Sequence, residues 1–366
     1  MDLIKKIIIA FIIVIFTYIV WRLMMKRNNI LNKINKEPFV EGLCLTGTPQ
    51  KCELDTLKDS SLTIKIQTTN AVNLSLKQIC IKGSYNSAFT GTYINIDMIH
   101  YLLSRGCRFF DFEVFYIMDP STNTYTPQVG YSTDSNITIL ESENTILLDN
   151  VLASFSYGFS NDSPNGGDPI FINLRIKSNN NDVYKSVAKS IDFSLKSLLY
   201  KGANGIAVTK DTLVKDLMGK VVIFVDKTIN SDYKNLSICD PNSPTYSSCY
   251  SLTKYVNAES GGQDFRLNRY ANILNQYALG IYILDDDISV NTTSVNLVLP
   301  DVIPENAPNP SFMQFITQYG CNIVLYKFYQ LDKGLLEYEQ MFFNNKYGIL
   351  PLSTVFIYYK KIQNAT

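Results

Sequence analysis

The stretch from Ile81 to Tyr116 limits what this chain can fold into more than any other part of it. Ile81-Lys82-Gly83-Ser84-Tyr85-Asn86 is a short apolar run closing on Gly, Ser and Asn, the residues that end a strand and begin a turn. Ile94, Met98, Ile99, Leu102 and Leu103 then recur every three or four positions, which predicts a helix with one apolar face, stopped at Gly106. From Phe109 to Phe115 the sequence alternates around Asp111 and Glu113. Two positions apart on a strand, these carboxylates point the same way. Two solvated acids at a strand end would explain them. Two parallel carboxylates in an otherwise apolar strand also suit a site.

Strand and helix patterns alternate from Leu74 onward. The strand-like runs are 76–82, 108–116, 169–175, 220–225, 277–284, 322–329 and 354–360. Helical spacing covers 94–105, 145–157, 181–200, 264–275 and 311–318. This alternation predicts an α/β fold with a parallel sheet, and the length suits a TIM (β/α)8-type barrel, for which ~250 residues is typical. The Ser-, Asn-, Gly- and Pro-rich stretches 157–168 and 228–262 are expected as surface loops.

GSYNSAF, the helix and GCRFFDFEVF together resemble the X region of phosphoinositide-specific phospholipase C and its relatives, the PLC-like phosphodiesterases. Upstream the resemblance takes in Leu74 to Ile79. Downstream it takes in Pro127 to Ser132, Pro169 to Arg175, Leu217 to Ile223, Gly320 to Val324 with Phe328 to Gln330, and Tyr347 to Leu352. It implies the same barrel and a site at which two histidines act as acid and base while a calcium ion stabilises developing charge.

Mapped onto this chain, the pattern is broken. The family histidines fall on Tyr85 and Tyr131, and the one histidine of the chain, His100, belongs to the helical pattern of Ile94 to Leu103. A phenol, with a reference pKa of about 10, is a poor proton shuttle at neutral pH. The resemblance places calcium ligands on Asn86, Asp111 and Glu113, all hard oxygen donors. It places the remaining family carboxylate on Arg175, whose guanidinium is expected among Asp111 and Glu113 where the ion would sit. Lys227 falls near a family lysine that contacts substrate phosphate, whereas the expected substrate arginine has no counterpart near Tyr277 to Asp287. No cofactor is expected, except calcium if the site is active. The implied function is a catalytically inactive PLC-like barrel serving as a structural or binding module. The rival is a phosphoric diester hydrolase on inositol phospholipids, using Asp111, Glu113 and a base such as Tyr85 or Lys227.

Thirty-three basic and 33 acidic residues cancel, so no basic excess marks a nucleic-acid surface. No P-loop, GxSxG elbow or HExxH occurs, and Asp285-Asp286-Asp287 suits a solvated turn. Residues 4–25 are dominated by Ile, Val, Phe and Leu, uncharged from Ile7 to Trp21 and flanked by Lys and Arg. They are expected to form an uncleaved membrane anchor within 1–27, followed by a stalk over 28–73 and the barrel over 74–366. Arg22, Lys26, Arg27, Lys33 and Lys36 beyond the anchor lean the barrel toward the cytoplasm. Sequons at Asn73, Asn136, Asn161, Asn235, Asn291 and Asn364 argue the other way, although so Asn-rich a chain produces sequons by chance. Cys44/Cys52 and Cys239/Cys249 lie in turn-rich segments able to close small loops, whereas Cys80, Cys107 and Cys321 read as reduced core residues. The Ile-, Asn-, Lys- and Tyr-rich composition suggests an AT-rich genome. Divergent members of the family the chain resembles are encoded by large DNA viruses, so the resemblance implies a virion or host membrane setting with virion proteins or inositol phospholipid as partners.

Overall fold

A computed structural model describes residues 48–59, 66–119, 122–134, 139–160, 163–202, 204–242, 246–278, 293–303 and 307–365. The anchor expected over 1–27 lies outside the described residues. Among those described, no helix is long and apolar enough to cross a membrane.

The strands are β1 (Ile79–Ser84), β2 (Phe109–Asp119), β3 (Thr124–Gly130), β4 (Ile146–Leu147), β5 (Ile170–Lys177), β6 (Val221–Asp226), β7 (Ala258–Ser260), β8 (Phe265–Arg269), β9 (Val295–Leu299), β10 (Ile323–Tyr326) and β11 (Ile349–Pro351). Eight of them form a parallel path in the order β7-β6-β5-β2-β1-β10-β9-β8. The ends of that path, β7 and β8, are joined across their turn by a hydrogen bond from Gly261 N–H to Phe265 O at 2.9 Å. The result is a nearly closed parallel α/β barrel. β3 runs antiparallel to the outer half of β2, pairing Glu113 with Gly130 through Asp119 with Thr124.

Strand alternation sorts the apolar residues into two clusters. Ile79, Ile81, Phe109, Phe171, Val222, Phe224, Phe265, Leu297, Ile323 and Leu325 fill the barrel lumen. Cys80, Phe110, Phe112, Ile172, Leu174, Ile223, Val225, Val298 and Val324 face outward onto the helices. In the lumen Phe109, Phe171, Phe224 and Phe265 pack ring on ring, with centroids 4.8–6.2 Å apart. This aromatic plug forms the floor on which the polar residues of the barrel mouth rest. A Cβ at Gly83 would lie 2.4 Å from a Leu325 methyl and 3.1 Å from the Phe109 carbonyl oxygen, so a side chain there would force the lumen packing to shift.

Several boundaries differ from the sequence expectation. The run 354–360, expected as a strand, lies in the helix Leu352–Ala365. There Leu352, Val355 and Tyr359 are buried at helical spacing, which outweighs the β-branched and aromatic composition of the run. The helix expected over 264–275 begins as β8, with Phe265, Leu267 and Arg269 alternating, and turns helical only at Tyr270–Ala278. The 145–157 helix is β4, then the helix Leu148–Ala153 and a 3-10 turn at Ser154–Phe159. Beyond the two residues that end the Tyr270–Ala278 helix, the 277–284 strand lies outside the described residues. Part of the 28–73 stalk is folded: helix Pro49–Asp59 buries Leu54 and Leu57, and Ile66 joins the outer cluster. β3, β7, β9 and the helix Lys333–Asn345 had no counterpart in the sequence patterns.

The helix Lys333–Asn345 is locked to β1 by buried charge. Lys82 Nζ donates to Glu339 at 2.9 Å and to the Arg105 carbonyl at 2.7 Å, and Arg105 pairs with the same carboxylate. Burial alone would raise the Glu339 carboxyl, but Lys82 and Arg105 hold it below its usual 4.5. Its stabilising contribution is therefore present at neutral pH and is lost as pH falls through the folded-state value, below 4.5. Glu339→Gln leaves two buried cations without a counter-charge and is expected to cost about 3–5 kcal/mol. Urea unfolding at pH 7 checks this, as a lowered midpoint with an unchanged slope.

Candidate functional site

The C-terminal ends of parallel barrel strands, where active sites of such barrels lie, carry the polar cluster. On β2 the residues that follow Phe109 on the lumen side are Asp111 and Glu113, and on β5 those that follow Phe171 are Asn173, Arg175 and Lys177. The ladder pairs Asp111 with Asn173 and Glu113 with Arg175. Asp111, Glu113 and Arg175 are buried to 2% exposure or less.

Arg175 organises this layer. Its Nε donates to both Asp111 oxygens at 2.9 and 3.1 Å, Nη2 donates to Asp111 Oδ2 and Asn86 Oδ1 at 2.6 Å each, and Nη1 donates to Glu113 Oε1 at 2.5 Å. Asn86 presents its side chain from a left-handed backbone, φ 44°, a conformation asparagine tolerates better than most residues. Burial works against the Arg175 charge, yet Asp111, Tyr85 and Glu113 hold its pKa well above the usual arginine value. Asn173 Nδ2 donates to Asp111 at 2.9 Å, and Asn173 Oδ1 accepts from Ser260 Oγ at 2.8 Å. Lys177 Nζ sits 2.9 Å from Glu113 Oε1 and donates to Ser132 O at 2.8 Å, while Ser132 N–H donates to Glu113 Oε2 at 2.8 Å.

Two carboxylates are thus matched by two cations, and the guanidinium takes the lone pairs of Asn86, Asp111 and Glu113 that a metal would need. Calcium does not fit this donor set: the oxygens are already committed, and a further divalent charge would enter a buried cluster that is already balanced. Arg175 lies between Asp111 and Glu113, where the sequence reading expects its guanidinium, and its bond to Asn86 is an addition from the structure.

The two tyrosines that the resemblance sets at histidine positions pack into different apolar clusters. Tyr85 belongs to the lumen cluster, with its ring centroid 4.6 Å from the Arg175 guanidinium carbon. Tyr131 belongs to the outer cluster, stacked on Phe89 at 4.2 Å. Burial pushes the Tyr85 phenol up, away from the range of a general base. Lys227 stands 3.6 Å from Glu259, which Lys234 also holds at 2.7 Å, so its ammonium is engaged outside the Arg175 cluster. His100 lies on the outer helix Ile96–Ser104, beside Asp97 and the Tyr157 ring.

Other residues of the mouth were missed from sequence. Asn173 and Lys177 share the parity of Arg175, a signal that strand alternation offered. Asp226, at the end of β6, is buried, its carboxyl raised by burial, and one of its oxygens accepts from Thr228 N–H at 2.8 Å and Thr228 Oγ1 at 2.6 Å. Arg269, at the end of β8, lies close enough to Tyr85 and Lys177 to act on their charge. The window Tyr277 to Asp287, where an arginine was sought, falls largely outside the described residues, as does Asp285-Asp286-Asp287.

Neither a protein-family model nor a curated protein sequence matches the chain. Solved structures do. The crystal structure of L. pealei PLC21 gives a TM-score of 0.54 at 14% identity, over 78% of this chain and 38% of that one. That of S. officinalis PLC21 gives 0.54 at 14%, over 76% and 37%. A calcium-dependent phosphoinositol-specific phospholipase C from Pseudomonas sp. aligns over 80% of this chain and 100% of its own, with a TM-score of 0.46 at 14% identity. The chain spans well under half the length of the two PLC21 proteins, and what it shares with them is the barrel fold.

Replacing Arg175 tests the charge balance directly. Arg175→Met is expected to lose about 3–5 kcal/mol by leaving Asp111 and Glu113 buried with only Lys177 beside them. Arg175→Glu adds the missing carboxylate and removes the resident cation. Calcium titration by calorimetry should show no binding to the parent chain and measurable binding to Arg175→Glu, with a calcium-dependent rise in its unfolding midpoint.

Proposed function

We propose that this chain is a PLC-like barrel that no longer hydrolyses phosphodiesters and serves as a binding or structural module. The observation that carries this reading is the Arg175 guanidinium hydrogen-bonded to Asn86, Asp111 and Glu113. A cation built into the chain stabilises those carboxylates but cannot exchange, offer open coordination positions or polarise a bound phosphate as a metal would. The proton carriers point the same way, since Tyr85 and Tyr131 stand where the resemblance calls for imidazoles and face different apolar clusters. In this proposal residues 4–25 hold the module at a membrane, with an inositol phospholipid or virion proteins as candidate partners. The lumen retains the strand scaffold of a catalytic barrel while its chemistry has been replaced by a permanent ion pair.

Vesicles containing phosphatidylinositol, incubated with the purified full chain, test this. No water-soluble inositol phosphate should be released above the protein-free rate, in calcium or in chelator. Calcium-dependent release would overturn the proposal and return Asp111 and Glu113 to metal binding. Calcium-independent release would overturn it in favour of a non-histidine base at Tyr85 or Lys227. Cosedimentation with the same vesicles in the absence of release would identify the module as a headgroup receptor.

A further inference from the structure

The cysteines divide by environment. Cys239 and Cys249 are joined in a disulfide across a surface loop, and Cys52 is disulfide-bonded as well. Cys80, Cys107 and Cys321 are free and buried, and burial pushes their thiols up, that of Cys107 to about 12. Such core thiols stay protonated and inert in any compartment. Disulfides in loops, by contrast, persist in oxidising surroundings and are kept reduced in the cytosol. In the oxidising lumen of the secretory route Asn-x-Ser/Thr is also an acceptor for glycan.

Three sequons have their asparagine among the described residues, and all three asparagines are exposed: Asn73 before Leu74-Ser75, Asn235 before Leu236-Ser237, and Asn364 before Ala365-Thr366. Asn73 sits in a turn closed by Leu74 N–H donating to Ala71 O at 3.1 Å. Asn235 lies on the one-turn helix Tyr233–Leu236, just before Cys239, so one sequon and the disulfide occupy the same surface loop. Ser75 and Ser237 are buried in the finished fold, so transfer has to precede folding of these segments. What the folded barrel must then supply is room at each asparagine, and it does. Sequons alone would carry little in so Asn-rich a chain; the disulfide is the independent observation that selects the compartment.

We propose that Asn73, Asn235 and Asn364 carry N-linked glycans and that the barrel matures on the lumenal side of a membrane, opposite to the side favoured by the basic residues after position 21. In the transfer, the asparagine amide nitrogen attacks the anomeric carbon of a polyprenyl-diphosphate-linked oligosaccharide. A C–N bond forms as the C–O bond to diphosphate breaks, the amide loses a proton and the lipid diphosphate leaves. In the same compartment the Cys239 and Cys249 thiols give two protons and two electrons to a disulfide-carrying oxidant, which departs as a dithiol.

The test expresses the full chain in cultured animal cells and follows its mass before and after a peptide-N-glycosidase. A glycosidase-sensitive ladder is expected, with Asn73→Gln, Asn235→Gln and Asn364→Gln each removing one step. Because glycan is added to the unfolded chain, the readout survives a variant that folds poorly. Under non-reducing conditions Cys239 and Cys249 should resist maleimide until a reductant is added. A chain of unchanged mass after glycosidase overturns the proposal even if the disulfide is intact. Glycan confined to Asn136, Asn161 or Asn291 overturns the site assignment, and free Cys239 and Cys249 in the cell-derived chain overturn the compartment.

Discussion

Two carboxylates facing the inside of a barrel must be neutralised by something, and that requirement governs the mouth of this molecule. Water cannot neutralise them, because Asp111 and Glu113 are almost wholly excluded from it. A metal would, with the remaining positions open to substrate. Arg175 does so instead, from the adjacent strand and in register, so the neutralising charge is covalently part of the fold. The surrounding polar groups follow from that choice: Asn173 donates to Asp111 and is itself held by Ser260, while Lys177 and the Ser132 amide satisfy Glu113. The planar guanidinium gives direction to contacts that a spherical ion would leave to the ligands.

Below this layer the barrel is ordinary hydrocarbon, and the division between the two is a matter of strand parity. Phe109, Asp111 and Glu113 share one face of β2, so a single alternation carries the lumen from aromatic plug to charged mouth within five residues. The outward parity, Phe110, Phe112 and Val114, goes to the helices and stays apolar throughout. A one-residue slip of β2 would exchange these faces and bury both carboxylates against helices, which makes the register one of the most strongly specified features of the structure.

Much of the architecture could be read from sequence where alternation or helical spacing was undiluted. The β1–helix–β2 unit, β5 and β6 were legible for that reason, and the shared parity of Asp111 and Glu113, with the resemblance that pointed to Arg175, singled out three residues that the structure hydrogen-bonds together. The failures have equally physical causes. Leu352 to Ala365 is rich in β-branched and aromatic residues, but its buried positions follow a helical period. β7 is three residues long and β8 runs straight into a helix, so neither offers enough alternation to be seen. Asp226 and Arg269 join the mouth because β6 lies beside β5 in the sheet and β8 stands at the far end of the strand path, a non-local consequence that no local pattern carries.

The first strand of the barrel finds its lasting partners far along the chain. β1 pairs with β10 and β11 as well as with β2, and Lys82 reaches its carboxylate partner Glu339 across 257 positions. Until that distant helix has been synthesised, β1 has an open edge and a lysine whose buried place in the fold does not yet exist. Ordering contacts of such long range is entropically costly and slow, and the intermediates expose apolar strand surface meanwhile. The barrel is therefore closed from its far end, and the nascent chain must keep one edge of β1 open and soluble through most of its own translation.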